Sequence, residues 1–389
     1  MRSNPIRAGR HHGVRRVIPR AAAAFLAALA LAHGVPEAVA QQPTDAPAAP
    51  ASGPVRGNPL NPDISVVGWI QYSTEHESEE AWAPAEVREM ELGLQSAVDP
   101  YSRADIFIAF SSAEGADVEE AYLTFLALPN GFLARLGKHR SLVTRFNRVH
   151  PPETAFATRP LVSETFFGEE GLAVVGASLS RLIPNPWDIY VNLDLEVSDA
   201  PDESGVFLPA DREDLLYGGR LNAFVDLSES VNLALGGALY TGPFGFDATA
   251  EEARRSWVSA ADVTLRWKDP RRAIDRSFLW TTEALRASID PEDAAAVGAE
   301  EDRPVGFFTH TEYQFARRWR LGGRYDWTEI PEGAEAHEAG ALGYLTFTPS
   351  EFSLVSLQGD TRRDAAGEWD DRLFLKVTFN MGPHGAHPF

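Results

Sequence analysis

The chain has 389 residues, of which 56 are acidic and 35 basic, and its formal net charge at pH 7 is −21. This acidic balance argues against nucleic acid as a partner, because nucleic-acid binding needs a basic surface. The absence of cysteine excludes disulfides, thiolate chemistry and a lipid anchor on an N-terminal cysteine.

The N-terminus predicts export. Five arginines between Arg7 and Arg20 precede the apolar run 21–32, and Ala38-Val39-Ala40 follows as a small-x-small cleavage pattern. We therefore predict a signal peptide over residues 1–40, since the apolar run is too short to span a membrane. Residues 41–63 are rich in proline and alanine and predict a disordered periplasmic tail.

From residue 64 onward the chain alternates apolar and polar residues in short runs. The clearest run is 187–197, in which every odd position is apolar and nearly every even position is polar or charged. Side chains on a strand point to alternate faces, so such a run predicts one apolar and one polar face. About sixteen strands follow from this rule, over 64–73, 87–98, 103–110, 118–127, 132–139, 170–181, 187–198, 213–225, 231–241, 256–267, 277–286, 305–315, 319–328, 338–347, 352–360 and 371–380.

The connections between these runs alternate between short turns and long, acidic loops. Asn, Pro and Gly in 99–102 and 128–131 suit tight turns, whereas 140–169 and 287–304 are long. Short turns at one end and long loops at the other are typical of transmembrane barrels. The pattern predicts an all-β chain whose residues 64–389 form a single antiparallel barrel in a bacterial outer membrane.

The third long loop, 140–169, is not composed like a flexible spacer. Phe146, Phe156, Phe166 and Phe167 are side chains that favour burial. A long loop with its own apolar residues is more often functional than a linker. We expect it to fold into the lumen and narrow the pore.

Four short segments carry a resemblance to a known family: Gly137-Lys138-His139-Arg140, Phe146-Asn147, Arg159-Pro160-Leu161-Val162 and Phe167-Gly168-Glu169-Glu170-Gly171. Together with the layout, they resemble the phosphate-selective porin O and P group of Gram-negative outer membranes. The resemblance implies an inward-folded third loop, contact with outer-membrane lipids and lipopolysaccharide, assembly by the barrel assembly machinery, and a homotrimer. The chain has only three lysines, so phosphate selectivity is not implied.

Charged residues of the third loop are the candidates for a pore constriction. They are Arg140, Arg145, Arg148, Arg159, Glu153 and Glu164. Arginine is permanently charged and binds anionic groups through two points, which suits a selectivity filter. Alternatively, these arginines pair with carboxylates and only fix the loop.

Alternation on the strands predicts which charged side chains line the lumen. They are Asp188, Asp194, Glu196, Arg220, Asp262, Arg266, Glu312, Arg320, Arg324 and Asp326. Opposed acidic and basic residues can orient polar solutes and set ion preference. The alternative is that they form ion pairs that brace the wall.

Other chemistry finds little support. His384 and His387 lie on a Pro/Gly-rich stretch without a nearby carboxylate, a weak pattern for a metal site. No hydrolase or phosphate-binding motif is present, so we expect neither an enzyme nor a cofactor. The predicted function is passive diffusion of small polar or charged solutes. Alternatives are a substrate-specific uptake channel for a sugar, anion or metal chelate, a structural barrel, and a soluble periplasmic β-protein.

Overall fold

The structure is a computed structural model that describes residues 62–74, 85–112, 115–187, 189–201, 204–209, 214–246, 253–291, 300–331 and 336–382. The predicted signal peptide lies outside the described residues, as do most of the predicted tail and the pair His384 and His387. The described residues form one compact unit.

Sixteen strands make up this unit: β1 (Asp63–Ser73), β2 (Ala85–Asp99), β3 (Ser102–Ser111), β4 (Gly115–Phe125), β5 (Phe132–Arg140), β6 (Ala173–Leu182), β7 (Tyr190–Asp199), β8 (Leu215–Ser228), β9 (Val231–Phe246), β10 (Ala253–Lys268), β11 (Ser277–Ile289), β12 (Val305–Ala316), β13 (Trp319–Glu329), β14 (His337–Ser350), β15 (Ser353–Arg363) and β16 (Trp369–Met381). Each pairs antiparallel with its sequence neighbours, and β1 pairs with β16 to close the barrel. The predicted fold class is confirmed.

The two faces of the barrel wall differ as the alternation predicts. On β7 and β8, Leu195 and Leu221 are 47% and 51% exposed, whereas Asp194 and Arg220 are 5% and 2% exposed. Outward leucines and inward charges suit a wall with lipid outside and polar groups inside. Closure also removes the unpaired edges that an open sheet would present.

The start of β7 is a correction to the predicted strand 187–198. The strand begins at Tyr190, because Asn185 folds the preceding residues into a turn. Its Nδ2 donates to the carbonyls of Ile183 and Ile189, and its Oδ1 accepts from the amide of Trp187. Asp188, a predicted lumen residue, lies outside the described residues.

The two ends of the barrel differ in their connections. We call the end with the short connections, such as 229–230, 317–318 and 351–352, the turn side, and the opposite end the loop side. The connection from β5 to β6 starts on the loop side and contains a helix, α1 (Leu161–Phe167). None of the described helices is long and apolar enough to cross a membrane.

The third loop lies inside the barrel. Its Val143, Val162 and Phe166 are fully buried in one apolar cluster with wall residues such as Leu216 on β8 and Phe308 on β12. These residues supply the apolar core that a barrel interior would otherwise lack. The aromatic residues in the loop are therefore explained by burial against the inner wall.

Candidate functional site: the third loop and the inner wall

The third loop is hydrogen-bonded to strands on every side of the barrel. The amides of Leu142 and Phe146 donate to Glu196 on β7 and Glu283 on β11. Farther along, the amides of Ala157 and Leu161 donate to Gln358 on β15 and Asp326 on β13. Only a segment that crosses the lumen can reach all of these strands, because they are distributed around the closed wall.

Lys376 on β16 holds the bend of the loop. Its Nζ donates to the carbonyls of Pro151, Thr154 and Phe156 at 3.0–3.3 Å and lies 4.2 Å from the centre of the Trp69 ring. Lysine is almost never fully buried unless its charge is compensated. Here three loop carbonyls and the face of the Trp69 ring compensate the charge of Lys376. The ammonium therefore holds the bend of the loop against the barrel wall.

Arg140 and Arg159 are bound within the protein. The Nη2 of Arg140 lies 2.6 Å from Glu119 Oε1, and its Nη1 donates to the carbonyl of Glu170. Arg159 donates to Ser163, to Asn147 and to the same Glu170 carbonyl. Both side chains therefore fix the conformation of the loop.

Arg145 and Arg148 are different. Both are partly exposed, and no described residue forms a hydrogen bond or an ion pair with either guanidinium. Burial and the neighbouring Arg266 lower the pKa of Arg145. Burial also lowers the pKa of Arg148, which has Asp194 and the arginines Arg135 and Arg220 as charged neighbours. Carboxylates also lie near both groups, Asp262 and Glu283 near Arg145 and Asp194 and Glu120 near Arg148, but none is bound to either guanidinium in the described part of the chain.

The two loop carboxylates take different positions. Glu164 lies on α1, and its Oε1 is 3.3 Å from Nη1 of Arg362 on β15. Arg362 also contacts Glu338, so this group joins α1 to two strands. Glu153 lies in a single turn of 3-10 helix beside the carbonyls that Lys376 binds. Neither carboxylate contacts Arg145 or Arg148.

Several predicted lumen charges are covered by the loop. Arg220 binds Asp262 at 2.5 Å and donates to the carbonyl of Val143. Glu196 accepts from Ser141, and Asp194 accepts from Ser180, Asn192 and Asn222. All four of these predicted residues are at most 7% exposed. They point inward but contact protein groups rather than open space.

On the other side of the barrel, one predicted lumen arginine is also bonded to the loop and two others are partly exposed. Arg324 bonds Asp326 and the carbonyls of Thr158 and Arg159 of the loop. Nearer the turn side, Arg320 lies 3.7 Å from Glu312 and is about one third exposed. Arg266 is partly exposed and, within the described part of the chain, has no hydrogen-bond or ion-pair partner. Arg266 and Arg320 are thus partly exposed cations near the turn side.

Two features escaped the sequence analysis. A second loop segment also enters the barrel, with Val206 and Phe207 fully buried and the Ser204 hydroxyl donating to the carbonyl of Phe166. The apolar run Val206-Phe207-Leu208 within an acidic loop was the available signal. Loop composition could have indicated this second inward segment.

The second feature is a β-bulge on β4. Phe107 of β3 pairs with Glu120 and Ile108 with Val118, so Glu119 is the extra residue. A bulge interrupts the alternation of faces, and both Glu119 and Glu120 are therefore buried inside. The adjacent glutamates in an otherwise alternating strand were the only signal in the sequence.

His150 of the third loop inserts among these carboxylates. Its Nδ1 lies 2.6 Å from Glu91 Oε2 and 2.8 Å from Glu119 Oε2. Burial alone would lower the pKa of His150, but contacts with Glu119, Glu120 and Glu91 raise it well above its ordinary value of 6.5. Without another cation, the imidazole is therefore protonated on both ring nitrogens and positively charged. In this form it joins the third loop to β2 and β4.

A cavity of about 960 Å³ lies on the loop side of the third loop. Side chains of both signs line it, among them Arg88, Glu89, Lys138, Arg159 and Glu169. A mixed-charge vestibule of this size can hold a small polar solute.

Comparisons with known proteins agree with the fold. No protein-family profile matches the chain. An uncharacterised protein of Aquifex aeolicus (strain VF5) is 29% identical, with 77% of this chain and 69% of that protein covered.

Two solved structures share the barrel. The anion-selective porin from Comamonas acidovorans superposes with a TM-score of 0.54 at 9% identity, covering 83% of this chain and all of that one. The trimer form of OmpT, an outer membrane protein of Vibrio cholerae, gives a TM-score of 0.50 at 12% identity, covering 82% of this chain and all of that one. The chain therefore has the sixteen-stranded fold found among outer-membrane porins.

Proposed function

We propose that this chain is an outer-membrane porin through which small polar solutes diffuse passively, and that Arg145 and Arg148 form an anion-favouring constriction. The observation that carries the proposal is that Arg140 and Arg159 are bonded within the protein, whereas the guanidiniums of Arg145 and Arg148 are not. The loop is bonded around the wall, yet these two guanidiniums have no bound carboxylate among the described residues. Cations that do not fix the structure remain free to act on solutes.

The expected selectivity follows from charge placement. Positive groups at a narrow point of a low-dielectric lumen concentrate anions and repel cations. Arg266 on the wall lies close enough to Arg145 to lower its pKa and adds another positive group at this level of the lumen. The fold shared with an anion-selective porin supports this proposal.

Location and assembly belong to the same proposal. The outward leucines suit acyl chains, and lipopolysaccharide and the barrel assembly machinery follow as partners of such a barrel. The trimer form of one structural neighbour supports a homotrimer. Solubilisation only by detergent, and a trimer mass in native gels, are the expected results.

Single-channel recording of refolded protein in planar bilayers tests the constriction. The double variant Arg145→Ala and Arg148→Ala should show higher single-channel conductance and a reversal potential in a KCl gradient that moves towards cation preference. Unchanged conductance and unchanged reversal potential would show that these arginines do not line the pathway.

A matched control removes a cation elsewhere. Arg303 is exposed near the loop side and pairs with Glu301 at 3.1 Å. Arg303→Ala should leave the reversal potential at the wild-type value, because an exposed ion pair in water is strongly screened. An equal shift in the control would attribute the effect to net charge rather than to the constriction.

The loop-side cavity favours a second candidate, a substrate-specific uptake channel. In that case solute flux into liposomes should saturate, and the solute should block ion current at a defined concentration. Flux that rises linearly with concentration for all small solutes supports the general porin.

A further inference from the structure

The third loop carries one histidine into a buried acidic cluster. His150 lies between Glu91 on β2 and Glu119 and Glu120 on β4, and its Nε2 is 3.7 Å from Glu120 Oε2. Each of these four side chains is at most 6% exposed. Two bulges shape the cluster, at Arg88 opposite β1 and at Glu119 opposite β3. Bulges beside a site often re-aim the side chains that form it.

The cluster holds more negative than positive charge. Around His150 lie three carboxylates, Glu91, Glu119 and Glu120, against one guanidinium, Arg140, and the imidazole itself. A single Nδ1 proton faces two carboxylates, so it satisfies neither fully. Burial of uncompensated carboxylates is costly, and a bound cation would relieve this cost.

An unpartnered oxygen atom points to that cation independently. Glu89 is 7% exposed, and its Oε1 is buried without a hydrogen-bond partner in the described part of the chain. In most proteins buried polar atoms have partners, so such atoms mark a place that another group occupies. The loop-side cavity reaches Glu89, Glu119 and Arg140 and gives an ion a path of entry.

We propose that Glu91, Glu119 and His150 bind one divalent transition-metal ion, with Zn²⁺ as the best match. One ligand atom from each residue lies within 4.8 Å of the others. One imidazole with two carboxylates is a donor set that suits Zn²⁺ better than Ca²⁺, which prefers oxygen alone. The ion takes the place of the Nδ1 proton, so the imidazole binds in its neutral form.

The ion would attach the constriction loop to the wall. Its ligands come from β2, from β4 and from the loop, three segments that are distant in sequence. This inference stands independently of solute diffusion, because it concerns how the loop is held and not what passes it.

Zinc binding to the refolded barrel in detergent tests the inference. A His384→Ala and His387→Ala background removes the terminal histidines, and chelator followed by buffer exchange removes metal. Titration with ZnCl₂ alone should then give one bound ion per chain with a dissociation constant below about 10 µM, equivalent to about 7 kcal/mol. The absence of zinc binding in this titration would overturn the proposal.

Variants separate this cluster from other zinc sites. Glu91→Gln keeps the shape of the side chain and should weaken zinc binding at least tenfold, and His150→Gln should do the same. His310→Gln is the matched control, since His310 is also buried but bonds Tyr344, and its affinity should equal that of the parent. Equal affinity in all three variants would place the ion elsewhere and refute the assignment.

Cobalt gives a readout that does not depend on affinity. Co²⁺ bound to the parent should show visible absorption bands of a low-coordinate nitrogen–oxygen site, and these bands should vanish in His150→Gln. Far-ultraviolet circular dichroism of each variant confirms that the barrel is intact. Bands that persist in the folded His150→Gln protein would contradict histidine ligation.

Discussion

Arg140 at the end of β5 and Arg148 in the third loop lie eight positions apart, yet their side chains have opposite surroundings. Arg140 is 3% exposed and bound to Glu119, while Arg148 is partly exposed and has no bound carboxylate among the described residues. The same residue type thus either fixes the loop or leaves its charge available in the lumen. A fully buried cation is costly to leave unpaired, whereas a partly exposed one keeps some contact with water.

The largest expected effect comes from breaking a bound arginine. Arg324→Ala leaves Asp326 buried without its guanidinium and removes hydrogen bonds to the carbonyls of Thr158 and Arg159. We expect a loss of about 3–5 kcal/mol in the free energy of unfolding. Urea unfolding from lipid vesicles, followed by tryptophan fluorescence, measures it. A loss below about 1 kcal/mol would show that the buried, paired Arg324 does not hold the loop in place.

The next effect is pH-dependent and concerns His150 in chelator-treated protein. Its pKa in the fold lies well above 6.5, so the stability that it contributes is full below about pH 6.5 and is lost as pH rises through the folded-state pKa. His150→Gln should therefore cost about 1.5–3 kcal/mol at low pH and progressively less in alkali. The facing charges are Glu91, Glu119, Glu120 and Arg140. A cost that grows with pH would contradict the direction.

The smallest effect on stability belongs to the open arginines. Arg145→Ala and Arg148→Ala should each change the free energy of unfolding by no more than about 0.5 kcal/mol, because neither side chain bonds another described residue. The same urea assay measures it. A loss in the free energy of unfolding near that of Arg324→Ala would show that these arginines also hold the structure together. That result would remove the basis for the constriction.

Periodicity predicted the wall but could not predict the pairings. All sixteen strands follow from alternation, because inner and outer positions of a barrel differ in solvent. Alternation also places Asp194, Arg220 and Arg324 inside, as the structure has them. It fails at Glu119, where a bulge adds one residue, and at Trp187, where the Asn185 side chain forms a turn before β7.

The sequence could not predict which of these arginines pair with a carboxylate, and the reason is different. Whether Arg140 or Arg148 meets a carboxylate depends on where the loop crosses a lumen built from strands far apart in the chain. Glu119 and Glu283 contact the loop from opposite parts of the wall, and no local pattern encodes that meeting. Pairing with a carboxylate, one of the two alternatives raised for these arginines, describes Arg140, whereas a constriction at Arg145 and Arg148 remains a proposal.

Thiol chemistry at one position tests the central claim most directly, because the native chain has no cysteine. In single channels of Arg148→Cys, a negatively charged methanethiosulfonate reagent should lower conductance in discrete steps and shift the reversal potential further towards cation preference. The same reagent on Arg303→Cys should leave both unchanged. Complete modification of Arg148→Cys, verified by mass spectrometry, with unaltered current would contradict the account.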